Sequence, residues 1–260
     1  MNFNAVMIEQ FTVGLMLTSL RILGLFLTAP MLSFRALSLP YRVMLSIFIG
    51  FLAMPIMDGQ LPIPSSTMKT FYSAGLELGI GAFIGFTIRM GLLAIEVAAE
   101  TLSFLSGFSY ASTMFRDPSL DSGLVSVFLG LIALAFTFTL NIHLVLIDIV
   151  LQSFRTLPFG SWPTEWNIQN IMVLMTKSFQ LGLVLSMPIL LIYLMFNIIQ
   201  AFLGRTSPQL NLFSVGFAFT IPLAFVTLML ILPEFQSVVV RSLENPLRLV
   251  RMGVEINGGR

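Results

Sequence analysis

Long apolar runs alternate with short polar interruptions along almost the whole chain. Six apolar segments stand out, roughly 11–34, 43–57, 71–105, 124–151, 171–199 and 210–233. The interruptions are rich in turn formers: "RALSLPYR", "DGQLPIPSS", "SGFSYASTMFRDPSLDSG", "RTLPFGSWPTEW" and "LGRTSPQLN". Residues 234–260 read as a polar tail, with Arg241, Arg248, Arg251 and Arg260 set against Glu244 and Glu255. Apolar runs of this length predict helices that satisfy their own backbone, as a bilayer requires. The expected fold class is all-α, with no short-period repeat and no separate hydrophilic domain.

Several segments fit a simple span poorly. Segment 43–57 falls short of the ~20 residues needed to cross a bilayer. Segment 71–105, as one helix, reaches about 50 Å at ~1.5 Å per residue, against a ~30 Å hydrocarbon core. It also holds Glu77, Arg89, Glu96 and Glu100, while Arg21, Asp148 and Lys177 interrupt other runs. Each such charge at mid-bilayer costs roughly 2.5–3.5 kcal/mol on the insertion scale, so these residues are expected to face protein or water. Arg89 and Glu96, seven apart, share a helical face. The pairs Gly75/Gly79 and Gly81/Gly85 suit close helix approach, though such pairs also arise by chance. Pro30, Pro55, Pro188 and Pro222 predict kinked or broken helices. Basic residues fall on both sides of any six-span topology, which contradicts the usual cytoplasmic bias.

Composition narrows the class. The chain is 57% hydrophobic and 10% charged, with a mean hydropathy of +0.95, whereas soluble domains carry roughly 25% charged residues. A start without basic residues and a long first run argue for a retained segment rather than a cleaved signal. Zero cysteines exclude disulfides and thiolate chemistry, and a net charge of +1 argues against nucleic acid. His143 is the sole histidine, five residues from Asp148 and off its helical face, which gives neither a metal set nor a strong proton relay. No GxSxG elbow and no phosphate loop is present, so no catalytic residue, cofactor or metal is expected.

The loop at 106–123 carries more soft bulk than a connector needs: Phe108, Tyr110, Met114 and Phe115 among serines and glycines. Taken alone, it reads as a plain loop or as an adaptable seal hinged at Gly107 and Gly123. "SPQLN" likewise reads as a helix-turn-helix corner or as a contact surface.

Four stretches carry a resemblance. "RILGLFLTAPMLSFRALSLPYRV" (21–43), "ELGIGAFIGFTIRMG" (77–91) continuing to "SGFSYASTMFRDP" (106–118), "NIHLVLIDIVLQSFRTLPFG" (141–160) and "GRTSPQLNLFSVGF" (204–217) occur in the order of the signatures of the FliR family of flagellar type III export proteins, whose injectisome relatives are called SctT. Ala218, where members often carry proline, and Ile142-His143-Leu144, where a second glycine is common, depart from the pattern only in packing detail.

The resemblance implies kinked helical hairpins, a FliP-like portion (about 1–170) followed by a FliQ-like portion (about 171–260), and a non-enzymatic channel subunit in a gate with FliP, FliQ and FlhB. Its setting would be the bacterial inner membrane within the flagellar basal body, partly on the periplasmic side and in contact with lipid, with unfolded flagellar proteins as cargo. It places a channel plug at Gly107, Phe108, Ser109, Tyr110, Met114 and Phe115. Subunit contacts are then expected at Arg21, Glu77, Arg89, Glu96, Lys177, Pro208, Gln209 and Asn211. The rival readings are an independent secondary transporter for a small solute, and the equivalent subunit of a virulence injectisome.

Overall fold

In the first apolar run the helix begins at Ala5 and stops at Thr28, just before Pro30 removes the next backbone donor. The structure, a computed structural model, describes residues 5–30, 38–57, 67–106, 124–163, 166–206 and 212–255. Among the described residues it is all-helical: α1 (Ala5–Thr28), α2 (Leu39–Ala53), α3 (Thr67–Leu105), α4 (Leu124–Thr139), α5 (Ile142–Thr156), α6 (Ile168–Thr206), α7 (Leu212–Ile231) and α8 (Phe235–Glu255). Short 3-10 turns follow α2 at Met54–Met57 and α7 at Leu232–Glu234.

The elements track the apolar pattern, with instructive differences. Ser38 stands in extended conformation at the N-cap position of α2 without a side-chain capping bond, and Pro40 sits in the first turn, where no donor is lost. Segment 124–151 is two helices, because Asn141 adopts the left-handed conformation (φ 56°) and turns the chain between α4 and α5. Asparagine visits that region at less cost than most side chains, so a polar residue inside an apolar run marks the break. Pro188 and Pro222, expected to kink or break helices, lie inside α6 and α7, which continue past them. The tail expected after 234 is the helix α8.

Five of these helical stretches are long and apolar enough to cross a membrane, or up to six if the bent α4–α5 pair counts as one. Two of them, α3 and α6, run to 39 residues each, about 58 Å at ~1.5 Å per residue. Most of the outward surface of α6 is apolar, including Phe179, Met187, Leu191, Met195 and Phe202. The chain is a membrane protein.

Two compact units divide the chain: Met1–Met90 with Thr137–Leu174 and Glu244–Arg260, and Gly91–Phe136 with Met175–Leu243. In the first, α2 lays Ser46, Gly50 and Ala53 against α1; a Cβ added to Gly50 would come within 3.1 Å of the Ser19 backbone nitrogen, and Phe11 is edge-on to Phe51. Its core joins Leu17, Leu25 and Phe26 of α1 to Ile80 and Ile84 of α3 and Leu146 and Val150 of α5.

In the second unit, α6 and α7 form an antiparallel hairpin. Tyr193 lies beside Thr220, Phe196 against Phe219 and Gln200 over Gly216, so one partner rises as the other falls. Buried positions on α6 form a narrow line through Ser178, Gly182, Ser186, Ile189 and Tyr193, and a Cβ added to Gly182 would come within 2.9 Å of the Ala94 carbonyl of α3. Lipid is as apolar as leucine, so close packing and internal hydrogen bonds, rather than burial alone, hold such lines together.

Candidate functional site

A charged side chain in the middle of α1 has no aqueous refuge, and the fold builds one for it. Arg21 is fully buried, at 0% exposure, and so is Glu77 of α3. The Arg21 Nε donates to Glu77 Oε2 at 2.6 Å, and its Nη1 donates to Ser153 Oγ of α5 at 2.9 Å. The serine hydroxyl donates to the Val150 carbonyl at 2.6 Å, so it accepts from the guanidinium without leaving its own donor idle. Glu77 Oε1 accepts the Gly160 N–H at 3.1 Å from the turn after α5, where Gly160 holds φ +78°, a conformation suited to glycine. The Phe154 ring lies 4.6 Å beneath the guanidinium carbon and adds a cation–π contact.

One ion pair therefore ties α1, α3, α5 and the 157–161 turn together. Its charges are desolvated, so its members depend on each other: removing one strands the other in a medium that cannot hydrate it. Arg21 and Glu77, expected at contacts with neighbouring subunits, are paired with each other within the chain. Sequence reading could not pair them, because 56 positions separate the two and periodicity reports only local neighbours.

The same helices touch backbone to backbone one turn further along. A Cβ on Gly81 would run into the Arg21 carbonyl, one on Gly24 into the Leu78 carbonyl, and one on Gly85 into the Thr28 hydroxyl. Thr28 Oγ1 also donates to the Ala82 carbonyl at 2.9 Å across the interface. The Gly81/Gly85 pair is thus a packing face for α1. A Cβ on Gly75 would meet nothing within 4 Å, and one on Gly79 only the Trp162 ring at 3.4 Å.

Below the ion pair, "RTLPFGSWPTEW" does more than connect. Phe83 of α3 stacks on Trp166 (4.5 Å between centroids, 21°) and meets Trp162 edge-on, while the Trp162 indole donates to the Trp166 carbonyl at 3.3 Å. Trp166 is buried, and Gly253 of α8 lies directly against its indole. The two tryptophans inside a turn-forming stretch were the available signal for this packing.

The other expected contact residues lie elsewhere. Arg89 and Glu96 are exposed on one side of α3, and Lys177 is exposed on α6. The expected plug, Gly107, Phe108, Ser109, Tyr110, Met114 and Phe115, and the corner Pro208, Gln209 and Asn211 lie outside the described residues. No group of three or more His, Cys, Asp or Glu able to hold a metal occurs among the described residues. His143 lies beside Phe138 (5.1 Å) and Asp148 accepts from Gln152 Nε2 at 2.7 Å, so these two do not meet as a relay.

The comparison with known proteins agrees with the order of the sequence motifs. Residues 12–245 match the family described as bacterial export proteins, family 1. The chain is similar to the flagellar biosynthetic protein FliR of Escherichia coli (strain K12), 30% identical over 220 residues that cover 82% of each chain. It resembles the FliR of Buchnera aphidicola subsp. Acyrthosiphon pisum at 28% identity over 90% of each, and that of Bacillus subtilis (strain 168) at 25% identity over 82% of this chain and 83% of the other. The matched span contains the Arg21–Glu77 pair, the glycine crossing, the tryptophan turn and the α6–α7 hairpin alike. This chain belongs to the FliR family of bacterial export proteins.

Proposed function

We propose that the chain is a core channel subunit of the flagellar type III export gate, assembled with FliP, FliQ and FlhB in the bacterial inner membrane, with part of its mass on the periplasmic side. It passes unfolded flagellar proteins and performs no catalysis. The observation that carries this reading is the outward surface of the two 39-residue helices. Both outlast the ~30 Å hydrocarbon core by about 28 Å, and each turns a charge outward, Arg89 from α3 and Lys177 from α6. Lipid alone suits neither the excess length nor those charges, whereas neighbouring helices of a membrane assembly suit both. The FliP-like and FliQ-like portions, about 1–170 and 171–260, belong to the same proposal.

Co-expression tests it. The chain should accumulate and purify as a stable species with FliP and FliQ and fail to do so without them. A stable, solute-binding monomer obtained alone would reject the gate in favour of a transporter.

The plug is the finer part of the proposal. A hole wide enough for a polypeptide leaks ions unless an adaptable, water-excluding filler occupies it, and aromatic and methionine side chains on glycine hinges suit that task. Deleting residues 108–116 in the co-expressed assembly is expected to raise membrane conductance while assembly yield stays the same. Unchanged conductance would rule out these residues as the seal.

A further inference from the structure

Two helices of the first compact unit, α2 and α5, are 15 residues each, and both pack on α1. They turn opposite kinds of surface outward. On α2 every exposed position from Met44 onward is apolar, with Ile47, Phe48, Phe51 and Leu52 among them. On α5 the buried seam is Leu146, Ile149, Val150, Ser153 and Phe154, and the other side exposes Asp148, Gln152 and Arg155. At ~3.6 residues per turn these three fall within about 60° of one another and span about 10 Å of the axis. Gln152 Nε2 donates to Asp148 Oδ2 at 2.7 Å, while Arg155 has no ion-pair partner among the described residues.

The two faces share one depth. A Cβ on Gly50 of α2 would come within 3.1 Å of the Ser19 backbone nitrogen, and Arg21, two residues on, donates to Ser153 of α5. The 3-10 turn Met54–Met57 that follows α2 packs directly against α5. Phe48, Phe51 and Leu52 are therefore level, within about two helical turns, with Gln152 and Arg155. Hydrocarbon suits the first set and penalises the second, since a charge turned outward at that depth must be hydrated or paired. One unit thus meets an apolar and a polar medium at the same height, the condition of a wall between lipid and water.

We propose that the Asp148, Gln152 and Arg155 face of α5 lines the aqueous conduit of the export channel. The inference rests on the channel reading above and names part of the wall. Acid and base stand about 10 Å apart along the axis with an amide between them, so the face carries no net charge. An unfolded cargo that presents acidic, basic and apolar segments in turn finds no lasting hold there.

The chain has no cysteine, so single substitutions report alone. Asp148→Cys, Gln152→Cys and Arg155→Cys are compared with Phe48→Cys and Leu52→Cys in the assembly co-purified with FliP and FliQ in lipid nanodiscs. A charged, membrane-impermeant methanethiosulfonate attacks hydrated thiolates, so it is expected to modify the α5 positions roughly tenfold faster than the α2 positions. In cells whose export route is jammed by a flagellar substrate fused to a tightly folded domain, labelling of α5 should slow severalfold. Gln152→Cys retains both charges and carries the test should either charge variant not fold. Labelling of α5 no faster than that of α2 overturns the proposal. So does slow labelling joined to crosslinking of Gln152→Cys to another subunit, which assigns the face to a protein contact. Fast labelling that jammed cargo leaves unchanged puts the water outside the conduit and overturns it as well. Failure of the assembly to form strikes the channel reading itself, whereas slow labelling within a formed assembly strikes this inference alone.

Discussion

Glu77→Gln should destabilise the chain by about 3–5 kcal/mol, and Arg21→Met by a similar amount, because each leaves a desolvated partner without its counter-charge. The two differ in what they strand. Glu77→Gln leaves the Arg21 guanidinium facing Ser153 and Phe154 alone; Arg21→Met leaves a carboxylate held only by the Gly160 N–H. The combination Arg21→Met with Glu77→Leu should recover most of the loss, since an apolar pair of similar volume carries no desolvation penalty. Recovery should be incomplete by about 1–3 kcal/mol, the cost of a Gly160 N–H without an acceptor. Denaturant unfolding of the purified assembly in mixed micelles, scored for all three variants, reads these values. Additive losses in the double variant would show that the two charges are not energetically a pair.

Gly81→Ala is the second large effect. The added methyl meets the Arg21 carbonyl and the α1 backbone rather than the end of a flexible side chain, so the helices must separate. Overpacking typically costs 1–3 kcal/mol, and a backbone collision belongs at about 3 kcal/mol or above. Glu77 lies one turn from Gly81, so separation also stretches the ion pair, and Gly81→Ala should combine with Glu77→Gln less than additively. Gly75→Ala on the same helix is the control. The added methyl would meet nothing within 4 Å, so it should be neutral or stabilising by up to about 1 kcal/mol through helix propensity. The same unfolding measurement on both variants decides the matter, and equal effects would remove the close crossing as the cause.

These two features show where sequence reading reaches and where it stops. Helix class, the approximate extent of most segments and the family follow from apolar run length and from motif order, both of which are local. The Gly81/Gly85 pair was visible as spacing, yet only its opposition to Gly24 and Thr28 distinguishes it from Gly75/Gly79. Arg21, Glu77 and Ser153 were visible as misfits or passed over, and their meeting depends on three helices distant in sequence. The break at Asn141 was hidden because flanking leucines and phenylalanines kept the hydropathy high. Helix α8 was hidden for the opposite reason: its arginines and glutamates lowered the average below that of a span, although Phe235, Val239, Leu243, Val250 and Val254 recur at helical spacing.

The reach of the Arg21 contacts also imposes an order on biogenesis. Arg21 leaves the ribosome 56 residues before Glu77 and 132 before Ser153. At roughly 5–20 residues per second, that is a delay of several seconds before the countercharge exists and longer before the hydroxyl does. During that interval a first helix settled in hydrocarbon carries an uncompensated guanidinium. A hydrated or protein-lined waiting place for α1 until α3 is made would spare it that cost, roughly 2.5–3.5 kcal/mol for a charge at mid-bilayer.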